Sequence, residues 1–247
     1  MKILVLPDIH GRTFWKKPCE DMSQWDKVVF LGDYVDPYEG EVLRSEVIPN
    51  LQEIIALKEV YKDKVILLWG NHDLFYWCDP YRDAFDYWSR HDNLRHDEIE
   101  SILKQHNELF QFAWQYDKFL FTHSGVNNAL AREICEYYKA DEVTASFIND
   151  YYKDNLKELS KVSYYRGGWE RYSSVVWADV QEHYGKEPCK EIKGLYQIFG
   201  HTYCKVRLVT KWWAMLDTGG SYAYLDDGIL KDPNGNKIKL IGNDPGD

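Results

Sequence analysis

Five short apolar runs, each followed at once by side chains that bind metal ions, constrain the fold of this chain more than any other feature. The runs cover residues 3–7, 27–31, 65–69, 119–122 and 196–199. A continuous apolar run of this length, ended by polar residues, is typical of a buried strand. The groups that follow are carboxylates, imidazoles and an amide: Asp8, His10, Asp33, Asn71, His123 and His201. The sequence therefore predicts strand ends that meet at a site for two divalent cations.

The segments between these runs predict a mixed α/β fold. Residues 42–62 have apolar side chains at nearly helical spacing and join the second run to the third, which indicates a β-α-β crossover and parallel strands. A second helix is predicted over 98–116. After His201, short strands are predicted over 206–210, 212–217, 222–225 and 237–241, with glycine-rich turns between them. We expect one domain over 1–247, built from two packed sheets with helices outside.

A helical, aromatic segment from 127 to 169 separates two of the metal-binding pieces. Helices are predicted over 129–139 and 143–161. Insertions beside the ligand end of a sheet commonly form lids or specificity caps. A helix pair that only packs, with no part in substrate choice, is the alternative that the sequence leaves open.

The charge balance limits the class of substrate. The formal net charge is −10 at pH 7, and a surface of that sign repels polyphosphate chains. Bound divalent cations reverse the sign locally and attract phosphate. We therefore expect a phosphorylated protein or small molecule as the partner, and no long nucleic acid.

Cysteine usage and hydropathy predict the compartment. Five cysteines are present and none forms a C-x-x-C pair, which favours reduced thiols over a disulfide framework. No segment approaches the roughly 20 apolar residues that span a bilayer. We predict a cytoplasmic protein without membrane contact, and the oligomeric state stays open.

The residue types at the predicted site define its coordination chemistry. Asp8 and His10 are two residues apart, so that both side chains can face one point, and Asp33 and Asn71 each follow a glycine that permits a tight turn. A mixed nitrogen and oxygen ligand set admits Mn²⁺, Fe and Zn²⁺. We expect two divalent ions, with Mn²⁺ as the first choice. Surface or capping roles are expected for the other histidines, which are His91, His96, His106 and His183.

The series D-x-H, G-D-x-x-D, G-N-H-D, H and G-H resembles the calcineurin-like metallophosphoesterase superfamily. The sequences PDIHG at 7–11, GDYVD at 32–36, HSGV at 123–126, VWAD at 176–179 and DTGG at 217–220 are similar to its phosphoprotein phosphatase branch and to bacterial and phage members, including symmetrical dinucleoside tetraphosphatases. The resemblance implies a two-sheet β-sandwich flanked by helices, with the metals at the sheet tips.

The resemblance also implies a role for each motif residue. The first ion is held by Asp8, His10 and Asp33, and the second by Asp33, Asn71, His123 and His201. His72 acts as general acid and is paired with Asp36. The implied reaction is in-line attack of a hydroxide that bridges the two metals.

One position departs from the family pattern. Pro37 stands where the phosphoprotein phosphatase branch usually has arginine, so that a phosphate-clamping guanidinium is absent from its usual place. Arg166 and Arg171 are the predicted substitutes.

Three functions are compatible with these observations. The first is a metal-dependent phosphatase that hydrolyses phosphate monoesters. The second, which an aromatic cap that stacks a base would favour, is a dinucleoside polyphosphate hydrolase or phosphodiesterase. The third is a non-catalytic binding scaffold, which loss of metal ligands would favour.

Overall fold

The structure, a computed structural model, describes residues 1–85, 90–184, 192 and 194–240. The chain divides into two compact units. The first comprises Met1–Gln111 and Gly219–Ile238, and Phe112–Thr218 belongs to the second. Each unit contains one sheet. Cys189 and the end of the strand predicted over 237–241 lie outside the described residues.

The first unit contains a six-stranded sheet in the order β11-β10-β1-β2-β3-β4. Numbered along the chain, these strands are β1 (Lys2–Leu6), β2 (Lys27–Phe30), β3 (Val65–Leu68), β4 (Phe110–Gln111), β10 (Ala223–Asp226) and β11 (Ile229–Lys231). The strands β1 to β4 are mutually parallel, and β10 pairs antiparallel with both β1 and β11. The first three predicted runs therefore form three adjacent parallel strands.

Helices connect the parallel strands of the first unit. They are α1 (Lys16–Cys19), α2 (Arg44–Tyr61), α3 (Asn71–Trp77), α4 (Asp79–Arg82) and α5 (His96–Gln105). The helix α2 buries Val47, Leu51, Ile54 and Ile55, which are three and four residues apart and so share one face. The crossover predicted over 42–62 is thus an α-helix between β2 and β3.

The second unit contains a five-stranded sheet in the order β5-β6-β7-β9-β8. The strands are β5 (Ala113–Tyr116), β6 (Phe119–Thr122), β7 (Tyr196–Phe199), β8 (Leu208–Val209) and β9 (Trp213–Met215). The strands β6, β7 and β9 are parallel. Two helices lie between β6 and β7 in the chain: α6 (Asn128–Tyr138) and α7 (Ala145–Asp154).

Side-chain caps begin both of these helices. The Asn127 side chain accepts a hydrogen bond from Leu130 N at 2.9 Å, and Thr144 Oγ1 accepts one from Phe147 N at 3.2 Å. The helical character predicted for 127–169 is therefore present, although α7 ends at Asp154 and is followed by the short 3-10 helix Leu156–Ser160.

Two predicted elements are wrong in the described part of the chain. The helix predicted over 98–116 ends at Gln105, and the chain continues into β4 and β5. Strand pairing outweighs helical spacing here, because Phe110 pairs with Leu67 and stacks on Trp69 with ring centroids 4.3 Å apart. Up to residue 240 the last strand is Ile229–Lys231, and in the described part of the segment predicted over 237–241 Lys237 forms an isolated bridge to Lys231.

The fold class predicted from the sequence is confirmed as a mixed α/β architecture with two multi-stranded sheets and flanking helices. None of the described helices combines the length and the apolar character that crossing a membrane requires.

Candidate metal centre and active site

The reactive side chains of the first unit lie on turns with an unusual backbone. Positive φ angles occur at Asp8 (23°), His10 (45°), Asp33 (54°) and Asp36 (56°). This region is costly for residues with a Cβ atom, and such strain persists only where the surroundings hold it in place. The turns after β1 and β2 are therefore shaped to orient these particular side chains.

Two glycines explain how the turns after β2 and β3 can touch. Gly32 has φ 104°, and a Cβ atom added there would lie 2.5 Å from Gly70 N. A Cβ atom at Gly70 would in turn overlap the carboxylate and the backbone nitrogen of Asp33. The glycines of G-D and G-N-H-D are thus required for close approach of the two turns.

Asp8, His10 and Asp33 form a buried cluster. One ligand atom from each lies within 4.8 Å of the others. His10 Nδ1 is 2.9 Å from Val35 O, and since a carbonyl can only accept, Nδ1 carries the hydrogen. The lone pair of Nε2 is then directed toward Asp33 Oδ2 at 3.4 Å.

Burial lowers the pKa of His10 to about 3, so that the imidazole is neutral at physiological pH. A neutral imidazole whose other nitrogen is held by a backbone carbonyl is the form in which histidine binds metals. Two carboxylates beside it supply negative charge. This donor set fits a divalent cation of the Mn²⁺, Fe or Zn²⁺ type.

Asn71 and His72 begin helix α3, immediately after β3. The backbone nitrogen of His72 donates to Asp33 Oδ1 at 3.0 Å, which fixes this carboxylate against the start of α3. Asn71 is itself 2% exposed. The structure thus brings Asn71 into the same buried turn region as Asp33.

His72 and Asp36 form a hydrogen-bonded pair. His72 Nδ1 lies 2.8 Å from Asp36 Oδ2, and the rings of His72 and His10 have centroids 5.1 Å apart. Tyr76 Oη donates to the other oxygen, Asp36 Oδ1, at 2.5 Å. Burial raises the pKa of Tyr76, so this phenol stays a donor. Asp36 is therefore held so that it orients one tautomer of His72.

The second unit brings His123 and His201 together. His123 follows β6 and His201 lies just after β7, its parallel neighbour, and Gly200 N donates to His123 O at 2.7 Å. His123 Nε2 and His201 Nδ1 are 3.1 Å apart. His201 also has positive φ, at 70°. Two imidazoles at the ends of adjacent strands are suitable ligands for a single ion.

Comparison with known proteins decides the family. A model of the calcineurin-like phosphoesterases matches residues 1–205, which include every metal-binding motif. The chain belongs to this family. The calcineurin-like phosphoesterases are dimetal-dependent hydrolases of phosphate esters, so the protein is a phosphoric ester hydrolase that acts on phosphorylated substrates.

One solved structure that resembles this chain supports the fold, and a second is similar to it more weakly. A protein serine/threonine phosphatase from Saccharomyces cerevisiae, described as similar to human phosphatase PP5, shares 16% identity with a TM-score of 0.55, covering 96% of this chain and 78% of that one. Yfce, a phosphoesterase from E. coli, shares 16% identity with a TM-score of 0.41 and covers 98% of both chains. A search of curated protein sequences finds no match.

Asp73 completes the phosphoesterase motif G-N-H-D, and the sequence analysis gave it no role. Its fully buried carboxylate accepts hydrogen bonds from Asp33 N at 2.8 Å, Tyr34 N at 2.8 Å and Gly70 N at 3.0 Å. These bonds tie the turn after β2 to the turn after β3. The fourth letter of the motif was the available signal for this residue, but its structural role is visible only in the fold.

Arg90 is a functional candidate that the sequence analysis missed. It lies between α4 and α5, in a segment without any motif of the phosphoesterases. Its guanidinium group lies 2.8 Å from His72 Nε2 through Nη2 and donates to Asp36 O at 2.9 Å through Nη1. Its central carbon is 3.9 Å from the centroid of the Tyr38 ring. Because 54 positions separate Arg90 from Asp36, spacing along the chain carried no signal for this contact.

The two arginines proposed from the sequence have different environments. Arg166 forms an ion pair with Asp179 at 2.8 Å and donates to Thr202 Oγ1 at 2.7 Å, so that it lies near His201, the neighbour of Thr202. Arg171 is exposed on the same segment. Substrate contact by either remains a prediction.

His183 has a structural role that was not expected. It is 2% exposed, and its Nε2 lies 3.0 Å from Ser124 O. A Cβ atom at Gly125 would lie 2.6 Å from this ring, so the histidine packs directly against the turn that follows His123. The surface position expected for His183 is therefore wrong, since the fold buries the ring against the turn that follows His123.

Proposed function

We propose that this phosphoesterase is a metal-dependent phosphatase that hydrolyses phosphate monoesters, with a phosphoprotein or a small phosphorylated metabolite as substrate. The observation that carries the proposal is the His72–Asp36 pair beside the cluster of Asp8, His10 and Asp33. A monoester of an ordinary alcohol needs a proton for its leaving oxygen, and histidine is the side chain best suited to supply one near neutral pH.

The residues of the first unit have complementary tasks. When bound, the divalent cations supply a nucleophile from water and stabilise the charge on the transferring phosphoryl group. Asp36 holds Nδ1 of His72, which leaves Nε2 as the nitrogen that donates a proton to the ester oxygen. Asp36 also fixes the orientation of the ring, as carboxylates do in other catalytic histidine pairs.

We assign the metal ligands as the family resemblance implies. Asp8, His10 and Asp33 hold the first ion, and Asp33, Asn71, His123 and His201 hold the second, with Mn²⁺ as the expected metal. Metal analysis of Asn71→Ala and His123→Ala tests the second set. Each variant is expected to retain about one ion fewer than the unaltered protein.

A second candidate function is hydrolysis of a dinucleoside polyphosphate. The side chains of Trp169 and Tyr164 are 98% and 61% exposed, and Arg166 lies between them in the chain. Exposed aromatic rings next to a cation are suited to stacking on a nucleobase. This observation favours a substrate that carries a base as well as phosphate.

Initial rates on three substrates separate the candidates. The substrates are p-nitrophenyl phosphate, bis-p-nitrophenyl phosphate and diadenosine tetraphosphate, each measured with and without Mn²⁺. We expect Mn²⁺-dependent hydrolysis with p-nitrophenyl phosphate preferred over the diester. Preference for diadenosine tetraphosphate would replace the first candidate with the second. Absence of turnover on all three with two ions bound would favour the binding scaffold.

A further inference from the structure

We propose that Arg90 is the phosphate-binding residue that replaces the arginine missing at Pro37. The inference rests on the proposed function, since it assigns a substrate contact within the same site. Its basis is the position of the Arg90 guanidinium group against both members of the His72–Asp36 pair.

The contacts of Arg90 with His72 and Asp36 indicate which atoms donate and which accept. Arginine can only donate hydrogen bonds, so His72 Nε2 accepts from Arg90 Nη2 at 2.8 Å. Nε2 is the nitrogen that faces away from Asp36, and it is therefore the one that meets the substrate. The guanidinium group thus lies within hydrogen-bonding distance of the nitrogen assigned to the proton transfer.

The positive charge of Arg90 also supports a role in phosphate binding. Arg12 pairs with Glu41 at 2.7 Å, Arg44 pairs with Asp92 at 3.1 Å, and each of these guanidinium groups is balanced by a carboxylate. Within the residues that the structure describes, Arg90 forms no such ion pair, and its contacts are a carbonyl, an imidazole and the Tyr38 ring. Its positive charge is therefore available for an anionic ligand, and guanidinium matches the paired oxygens of phosphate.

Arg90 is also accessible to a ligand from solvent. Arg90 lines an open cavity of about 220 Å³ together with Asp36, Tyr38 and Arg44. The guanidinium group lies over the Tyr38 ring, with Nη2 directed at His72 and Nη1 at the Asp36 carbonyl. A phosphoryl group that enters this cavity meets the guanidinium group of Arg90, which in turn contacts His72 through Nη2. The guanidinium then exchanges the imidazole for phosphate oxygens, which frees Nε2 to take up a proton from water and pass it to the ester oxygen.

Position, charge and access together make Arg90 a substrate-binding residue. An arginine kept for packing alone would be expected to pair with a carboxylate or lie along the surface. Pro37 cannot supply a donor from the usual place, because proline has neither a polar side chain nor a backbone N–H. Arg90, which is distant in sequence, thus supplies the cation that Pro37 cannot.

The test compares three variants of the full chain loaded with Mn²⁺: Arg90→Met, Arg90→Lys and Arg44→Met. The last is the matched control, because it removes a nearby cation whose charge is already balanced by Asp92. Two measurements are made: the Michaelis constant for p-nitrophenyl phosphate, and the dissociation constant of inorganic phosphate by titration calorimetry. Metal content and melting temperature are recorded for each variant.

We expect Arg90→Met to raise both constants by about 10- to 100-fold, the range for loss of a charged hydrogen bond, with metal content unchanged. Arg90→Lys retains the charge but not the paired geometry and is expected to recover part of the affinity. Arg44→Met is expected to change either constant less than about threefold, as is usual for an exposed ion pair.

Unchanged phosphate affinity in Arg90→Met, or an equal loss in Arg44→Met, would overturn the inference, and so would failure of the unaltered protein to bind phosphate. A protein that binds phosphate through Arg90 but turns over no ester would contradict the proposed function alone. If Arg90→Met fails to fold, Arg90→Lys decides, because full affinity with lysine argues against paired recognition.

Discussion

The turns after β1, β2 and β3 in the first unit differ sharply from the segment 164–169 in the second. Asp8, His10 and Asp33 are almost completely buried and lie on backbone with positive φ. The side chains of Tyr164 and Trp169, in contrast, project into solvent. Chemistry requires groups whose positions are settled before the substrate arrives, whereas exposed aromatic rings can adapt to a ligand.

The two regions therefore differ in how well they tolerate amino-acid substitutions. Each strained residue costs about 1–3 kcal/mol, and such strain persists only where neighbours enforce it. Asp73 provides that enforcement through its three backbone hydrogen bonds. Nothing comparable is needed at Trp169, so substitutions there are expected to alter selectivity without altering the reaction.

The largest effect is expected from a metal ligand. Asp33→Ala removes the carboxylate assigned to both ions, so we expect loss of bound metal and loss of phosphatase activity. Metal analysis after dialysis, together with rates on p-nitrophenyl phosphate, measures both. Asp63→Ala, at an exposed carboxylate, is the control. Full metal content in Asp33→Ala would show that this ligand assignment is wrong.

The next effect concerns proton donation. His72→Asn is expected to lower kcat by about 10²- to 10⁴-fold while both ions stay bound, because the change removes a general acid and no ligand. His106→Asn, which changes a partly exposed histidine of the same unit, serves as the matched control. A fall in metal content for His72→Asn would instead place His72 among the ligands.

Asp73→Asn tests the hydrogen bonds that join the turn after β2 to the turn after β3. An amide cannot accept all three backbone hydrogen bonds, so we expect the free energy of unfolding to fall by about 1–3 kcal/mol. Urea unfolding measures this change, and metal affinity is expected to decline with it. Stability equal to that of Asp141→Asn, a change at an exposed carboxylate, would contradict the anchoring role.

In the second unit, His183 is expected to make the free energy of unfolding depend on pH. Burial lowers the pKa of His183, so the folded state resists protonation more than the unfolded chain. Its contribution to stability is therefore complete above about pH 6.5 and is lost as pH falls, by up to about 1.4 kcal/mol for each pH unit. Urea unfolding between pH 5 and 8 measures the slope. His183→Gln is expected to flatten it, and an unchanged slope would exclude His183 as the cause.

The smallest effect on hydrolysis of p-nitrophenyl phosphate is expected from substitutions in the exposed aromatic segment 164–169. Trp169→Ala leaves hydrolysis of p-nitrophenyl phosphate and the melting temperature unchanged, because this side chain is 98% exposed. If a nucleobase stacks there, kcat/KM for diadenosine tetraphosphate falls by about tenfold, in line with stacking energies of about 1–3 kcal/mol. Equal rates for both substrates would remove this segment from substrate recognition.

Sequence patterns failed where contacts distant in the chain outweigh local spacing. The helix expected over 98–116 ended at Gln105, because pairing with β3 and β6 requires extended chain from Phe110 onward. The place of His183 depended on Gly125, whose missing Cβ atom leaves room for the ring. Neither relation has a fixed separation along the chain, so neither leaves a periodic or motif signal.

The sequence by itself determined the parallel strands that carry the predicted ligands and the family of the enzyme. Local rules suffice for these, because an apolar run defines a buried strand and a glycine followed by a carboxylate defines a tight turn at its end. Only the tertiary structure decided that Asp73 ties two turns together and that Arg90 reaches the His72–Asp36 pair. The physical reason is that a long side chain delivers charge from any nearby segment, so the position of a cation is set by packing in three dimensions rather than by its place in a motif.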